Sequence, residues 1–295
     1  FSFEHPPNAT SEIVKKYQFR LVKHNKNRGL ADARNTGVEN SKGEIIVFTD
    51  DDCIADKNWI KEIVNCYKKN PDVNAVGGRV NPYSINTLLE KYAYYAKHPI
   101  YIHPTELDSK GRSRSYLKNI FGTKQKELKD GQRLSGAMGL NSSYKKKMII
   151  KAGMHRPGIK RGIDWDLNTK MRKVGLNAIY CDKAIIQHKH RIGFKAFLKH
   201  MYSYGKVYWQ THKSNPKEVR FLPRPLPLLF ILFFPIGYLL NILYLPLVII
   251  LIYYLKDLAY TLFKLKSVSM FIAMPIIDFL RELTYFIGSI RGMFK

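Results

Sequence analysis

Acidic residues are scarce in this chain. Its 295 residues hold 23 Asp and Glu against 49 Lys and Arg, a formal net charge of +26 at pH 7. Such an excess is unlike that of an ordinary soluble enzyme and calls for an acidic partner: nucleic acid, the anionic face of a membrane, or a phosphorylated substrate. Cysteine is scarce as well. Cys53, Cys66 and Cys181 are odd in number and lack CxxC spacing, which argues against a disulfide framework or a zinc site and fits a reducing compartment. The chain opens on Phe1 rather than Met, without a signal-peptide pattern, so its natural start is expected to be missing.

Charge is absent altogether from Leu226 to Leu255, between Arg224 and Lys256. About 20 apolar residues cross a bilayer, so this run suffices for one tilted helix or a kinked pair broken at Pro235, Gly237 and Pro246. A transmembrane segment is expected over 226–255. An amphipathic helix is expected over 269–291, where Asp278, Arg281, Glu282, Tyr285 and Ser289 share one stripe and apolar residues cover the rest. It either lies in the membrane interface or packs against the span with its polar stripe turned to protein. Residues 223–295 are thus read as a membrane region. Residues 1–222 are read as the water-soluble domain, on the cytoplasmic side of the cell membrane, in line with the positive-inside tendency.

In that domain strands and helices alternate. Strands are expected at 19–24, 44–50 and 73–80 and helices at 29–40 and 59–70, an α/β pattern with a mostly parallel, Rossmann-like sheet. In such sheets ligands bind beyond the carboxyl ends of the strands. There, "IIVFTDDDC" (45–53) runs an apolar strand into three aspartates. Strand alternation would put Asp50 and Asp52 on one side and Asp51 on the other. Two converging carboxylates form a hard-oxygen site for Mg²⁺ or Mn²⁺; the plainer alternative is an acidic cap or a solvated turn before Trp59, a role Asp56 could fill alone.

"NKNRGLADARNTGVENSKGEIIVFTDDDC" resembles the signature of family 2 glycosyltransferases, which have the GT-A fold, with Asn27, Gly29, Ala33, Arg34, Asn35, Gly37, Gly43, Glu44, Asp50 and Asp52 at matching positions. The resemblance continues through "SGAMGLNSSYKKKMIIKAGMH" (135–155), "GIDWDL" (162–167), "IIQHKHR" (185–191) and "YSYGK" (202–206). It implies an inverting transfer from a nucleotide-sugar donor to a glycan or lipid-linked acceptor, assisted by Mn²⁺ or Mg²⁺. Asp164 is implied as the catalytic base. Asp50 and Asp52 are implied as metal ligands, completed by His188 or His190, and Arg34, Asn35 and Asp50 as donor contacts. Gly136 falls in the segment that borders the acceptor. Trp165 is either a stacking platform for an acceptor sugar or a packed core residue, and Asp166 either assists the base or caps its helix.

Two departures from the family pattern stand out. "FSFEHPPNAT" occupies the place of the first strand and its acidic nucleobase contact, and Ile163 replaces the glutamate before Asp164. Residues 108–133 are rich in lysine and turn formers and are read as a lid that orders on donor binding or as a plain surface insertion. The QxxRW motif of processive members is missing, which favours single transfers. No glycine-rich, lysine-bearing phosphate loop supports the alternative of a sugar nucleotidyltransferase, and no nucleic-acid-binding motif supports a membrane-anchored anion binder, so nucleic acid is not expected as a partner.

Overall fold

The computed structural model describes residues 2–3, 8–17, 19–95, 128–159, 161–189, 193–214, 234–241, 255, 261–262 and 267–294. The chain divides into two compact units. The first comprises Phe1–Asn81, His103–Ser113 and Leu128–Gln187, the second Pro82–Ile102, Arg114–Glu127 and His188–Lys295. These units follow packing alone; the functional division expected at residue 223 is a separate question.

In the first unit, β1 (Ser2–Phe3) pairs in parallel with β2 (Val22–Lys23), and α1 (Asn8–Lys16) lies between them in the chain. Next come α2 (Leu30–Asn40), β3 (Ile45–Thr49), β4 (Cys53–Ala55), α3 (Trp59–Lys69) and β5 (Ala75–Pro82). β6 (Arg133–Leu134), β7 (Asn141–Lys145), α5 (Lys146–Lys151), α6 (Ile163–Lys173) and β8 (Ala178–His188) complete the set. The main sheet has the order β3-β7-β5-β8-β4, with β6 also on β8.

Residue alternation along the strands builds a core on each face of this sheet. Ile46, Phe48, Ala75, Ala178 and Tyr180 point into one cluster, with Val38 of α2, Met148 of α5 and Leu167 and Met171 of α6. Val76, Ile179 and Cys181, each one residue out of phase, point into the other with Trp59, Ile63 and Tyr67 of α3. Helices therefore cover both faces, as the near-continuous apolar run of β3 requires.

The expectation of a mostly parallel sheet is corrected. β7 runs antiparallel to β3, with Val47 opposite Ser143, and antiparallel to β5, with Val76 opposite the same Ser143. β6 is antiparallel to β8. β3 and β5 thus point the same way with β7 reversed between them, and the sheet is mixed. Hydropathy hides β7 because its sequence is Asn-Ser-Ser-Tyr-Lys, yet Asn141, Ser142 and Ser143 are all buried.

Hydrogen bonding makes that burial tolerable. The Asn141 carboxamide accepts from Trp59 Nε1 at 2.9 Å and donates to the Arg79 and Ala184 carbonyls at 2.7 and 2.9 Å. One side chain so joins α3, β5, β7 and β8.

The second unit holds α4 (Leu88–Tyr95), α7 (Phe194–Ser214) and α8 (Val268–Met293). Leu89 and Tyr92 of α4, Phe197 and Met201 of α7, and Met270, Met274 and Ile277 of α8 form its core. α7 and α8 approach closely at glycines: a Cβ on Gly205 would strike the Tyr285 carbonyl, and one on Gly288 or Gly292 the carbonyl of Tyr202 or Lys206. Among the described residues no helix is long and apolar enough to cross a membrane. The expected span at 226–255 lies outside the described residues apart from 234–241 and 255. The polar stripe expected on 269–291 is present on α8 and turned to protein: Asp278, Arg281, Glu282 and Ser289 are buried.

Asn141→Ala is expected to strand one indole N–H and two carbonyls and to destabilise the first unit by about 2–4 kcal/mol. Urea unfolding followed by tryptophan fluorescence checks this; a loss under about 0.5 kcal/mol, the range of a neutral surface change, would refute the role given to Asn141.

Candidate active site

Two glycines aim the helices that carry the site. α2 starts after Gly29 at φ 94° and α6 after Gly162 at φ 71°, backbone angles that residues with a Cβ rarely adopt. From these starts Arg34 lies in the second turn of α2 and Asp164 in the first turn of α6.

Arg34 is the centre of the constellation. Its side chain is only 8% exposed, and it donates through Nη1 to Asp164 Oδ1 and through Nη2 to Asp50 Oδ1 at 3.1 Å. Its guanidinium lies over the Phe48 ring, 5.3 Å from the centroid. Burial works against the cation, but Asp164 and then Asp50 outweigh it and hold its pKa above the ordinary value. The Asp50 carboxyl is pushed up by burial first; Arg34 opposes this, while Asp164 and Asp52 add to it.

β3 ends at Thr49, so strand alternation does not reach the triplet. A turn sets it instead, closed by Cys53 N donating to the Asp50 carbonyl at 3.3 Å. There Asp50 and Asp52 are half-buried and Asp51 is exposed. Asp56 forms the turn into α3, its Oδ1 accepting from Asn58 N at 2.8 Å.

Asp52 and Asp164 thus both act electrostatically on Asp50, which Arg34 joins to Asp164. An oxygen donor set with negative charge left over suits a hard divalent cation, and Asp50 and Asp52 are the residues that could hold one. Burial pushes the neighbouring Cys53 thiol up to about 11.

The two aspartates of α6 part company. The Asp164 side chain is 31% exposed and faces Arg34. That of Asp166 is 4% exposed and pairs with Arg156 at 2.9 Å and Lys170 at 3.7 Å. Ile163, which stands in place of the family glutamate, is buried, and Trp165 is half-buried. Gly136 packs tightly on Asn168, whose carboxamide donates to the Ala137 carbonyl at 2.7 Å and accepts from Tyr144 Oη at 3.2 Å. His188 ends β8 and falls in the second unit; His190 and residues 108–127 lie outside the described residues.

Three residues of this site had no place in the sequence reading. Gly139 is one: a Cβ there would collide with the Arg34 guanidinium and the Asp164 carboxylate. Its only sequence signal is the second glycine of "SGAMGL". Asn168, which orders the segment around Gly136, is another. The third is His155. Asn35 Nδ2 donates to the His155 carbonyl at 2.8 Å, while Asn35 Oδ1 accepts from His155 N at 2.9 Å and lies 3.2 Å from Nδ1. The Asn35 carboxamide is thus spent on fastening this loop to α2. The imidazole meets Phe48 edge to face at 5.6 Å, and its buried Nε2 has no hydrogen-bond partner among the described residues.

A buried guanidinium thus joins two carboxylates beside the rim of an α/β sheet. The particular family follows from sequence. Residues 5–153, half of the chain, match the model described as glycosyl transferase family 2, and the chain belongs to that family. The glucosyl-dolichyl phosphate glucuronosyltransferase of Haloferax volcanii is 25% identical over 174 residues, which cover 56% of this chain and 49% of that protein. The chain therefore spans about half the length of that curated relative. Among solved structures, the mannosyltransferase PcManGT from Pyrobaculum calidifontis, in complex with GDP-Man and Mn²⁺, is similar at a TM-score of 0.49 and 14% identity, over 98% of this chain and 76% of that one. S. aureus TarS 1-349 is similar at a TM-score of 0.44 and 14% identity, over 68% and 52%.

Burial, and next the Arg34 charge, hold the His155 imidazole down at about 4. The unfolded chain therefore binds the extra proton first. The stability that this neutral imidazole supports is complete above the ordinary histidine range near pH 6.5, is lost as pH falls toward 4, and amounts to about 3 kcal/mol. His155→Asn is expected to flatten the decline in Tm between pH 6.5 and 4; an unchanged pH profile would count against the assignment.

Proposed function

We propose that this chain is an inverting, non-processive glycosyltransferase. Residues 1–222 move one sugar from a nucleotide-sugar donor to an acceptor hydroxyl, and residues 223–295 hold them at the cytoplasmic face of the cell membrane. One observation carries the reading: a single buried guanidinium, Arg34, binds Asp164 with one arm and Asp50 with the other. Base and metal-side carboxylate are thereby held within the span of one side chain, as a reaction needs when it removes a proton on one side of a sugar and releases a diphosphate on the other. Family membership supports the reaction class.

Asp164 takes the proton from the acceptor hydroxyl. Attack then comes from the face opposite the leaving diphosphate, and a single displacement inverts the anomeric centre, by the geometry that separates inverting from retaining hydrolases. Asp50 and Asp52 would hold Mn²⁺ or Mg²⁺, and the resemblance adds His188 or His190; a bound cation supplies charge neutralisation to the diphosphate. Arg34 offers a second, fixed positive charge on the donor side. Asn35 acts there by keeping α2 and the His155 loop together. Asp166 is buried in its own ion pairs and serves as a strut. Gly136 and Trp165 border the acceptor. The curated relative is named for glucuronosyl transfer to glucosyl-dolichyl phosphate, which supports a lipid-linked acceptor for this chain as well.

Incubation in detergent with a panel of nucleotide-sugars and Mn²⁺ or Mg²⁺ is expected to release free nucleoside diphosphate; pyrophosphate would instead indicate sugar activation, and release of neither would refute the proposal. Asp164→Asn should slow turnover by about 10²-fold or more with donor binding kept. Near-normal turnover of that variant, or a larger loss in Asp166→Asn, would move the base elsewhere.

Gly139→Ala supplies a separate check. Its methyl group must part Arg34 from Asp164, so kcat is expected to fall by about 10-fold or more while the circular dichroism spectrum stays that of the wild type. Unchanged kcat would show that the pairing is dispensable.

A further inference from the structure

The second unit carries a helix built inside out. Soluble helices turn their charged face to water, yet α8 buries Asp278, Arg281 and Glu282 along with Met270, Met274 and Ile277, and exposes a second apolar face. The buried charges are provided for. Arg281 pairs with Asp278 at 2.7 Å and Glu282 at 3.0 Å, and donates to Tyr92 Oη at 2.9 Å; the Tyr92 hydroxyl in turn donates to Asp278. The glycine contacts of α7 and α8 bring the two backbones close enough to seal this layer.

On the opposite side the exposure is large. Val268 is 73% exposed, Ile272 59%, Ile276 55%, Ile287 50% and Phe294 83%. At 100° per residue these positions, with Ile290 and the half-buried Phe279, Leu283 and Phe286, fall within about one third of the helix circumference. No charged residue interrupts that stripe: Asp278, Arg281 and Glu282 point away from it, and Arg291 sits at its edge. A continuous apolar face of this length needs an apolar neighbour.

We propose that this neighbour is the lipid bilayer: α8 lies flat in the membrane interface, with its outer stripe among the acyl chains and its charged underside on α4 and α7. Two features choose lipid over a second protein. The same unit contains the uncharged run 226–255, which shares the same solvent preference. The chain also carries a net charge of +26, which matches an anionic lipid surface at the depth where an interfacial helix sits. The inference deepens the proposed membrane placement and rests on it. It adds that the bilayer contact is a broad face of a folded unit as well as a span.

The test uses the full chain bound to phosphatidylcholine–phosphatidylglycerol vesicles. Nitroxide labels are placed one at a time through Ile272→Cys, Ile276→Cys, Ile287→Cys and Arg291→Cys, with labelling of the native cysteines measured on the unsubstituted chain and subtracted. Collision with oxygen should be high, and with a water-soluble nickel chelate low, at Ile272, Ile276 and Ile287, and the order should reverse at Arg291. Strong nickel collision at the three isoleucine positions would place the stripe in water and overturn the inference. Weak collision with both reagents would mean a protein partner and overturn it as well. If the chain does not sediment with the vesicles, the membrane placement itself fails; sedimentation with nickel-exposed labels refutes the role of α8 alone.

Discussion

A guanidinium cannot stay buried without countercharge, and that constraint organises the first unit. Arg34 is 8% exposed, so removing it from water is tolerable only because Asp50 and Asp164 meet it. Each partner comes from a different element, the turn after β3 and the first turn of α6, and each must arrive at the right place. Gly29 and Gly162 set the entry of the helices, Phe48 supports the guanidinium from below, and Gly139 contributes by having no side chain. The pairing also leaves more carboxylates than cations around Arg34, an excess of negative charge that the proposed divalent cation would offset.

Local signals were legible in the sequence, and non-local ones were not. The β-branched run before Asp50 and the amphipathic stretch from Trp59 to Lys69 are readable because their periodicity is contained in a few residues. β7 is not, since Ser142 and Ser143 are buried through a pairing with β3 and β5 that no neighbouring residue announces. The reversed direction of β7 is what turns an expected parallel sheet into a mixed one. His155 and Asn168 escaped notice for the same reason: their roles arise from partners at Asn35 and Ala137, far away in the chain.

The two units solve opposite solvent problems with the same interaction. In the first, Arg34, Asp50 and Asp164 gather at the rim of the sheet, and apolar residues fill the interior. In the second, an ion-paired layer of Asp278, Arg281, Glu282 and Tyr92 fills part of the interior, and Ile272, Ile276, Ile287 and Ile290 face out. A buried ion pair adds little net stability over a packed apolar core. Its use there follows more simply if the outer face is the one reserved for apolar surroundings, because a helix has only one circumference to divide.

Aspartates two residues apart occur twice near the site, and their geometry differs because the backbone differs. In the turn after β3, Asp50 and Asp52 are both half-buried and act on one another. In α6 the same spacing rotates the side chain by about 200°, which sends Asp164 and Asp166 to opposite faces. One meets Arg34 at the rim, and the other enters the fold to meet Arg156 and Lys170. Ile163 fits this division: it lies between the two directions on the buried side, where an apolar residue packs and a glutamate would need a partner of its own. With Ile163 in place of the family glutamate, Asp164 still faces Arg34.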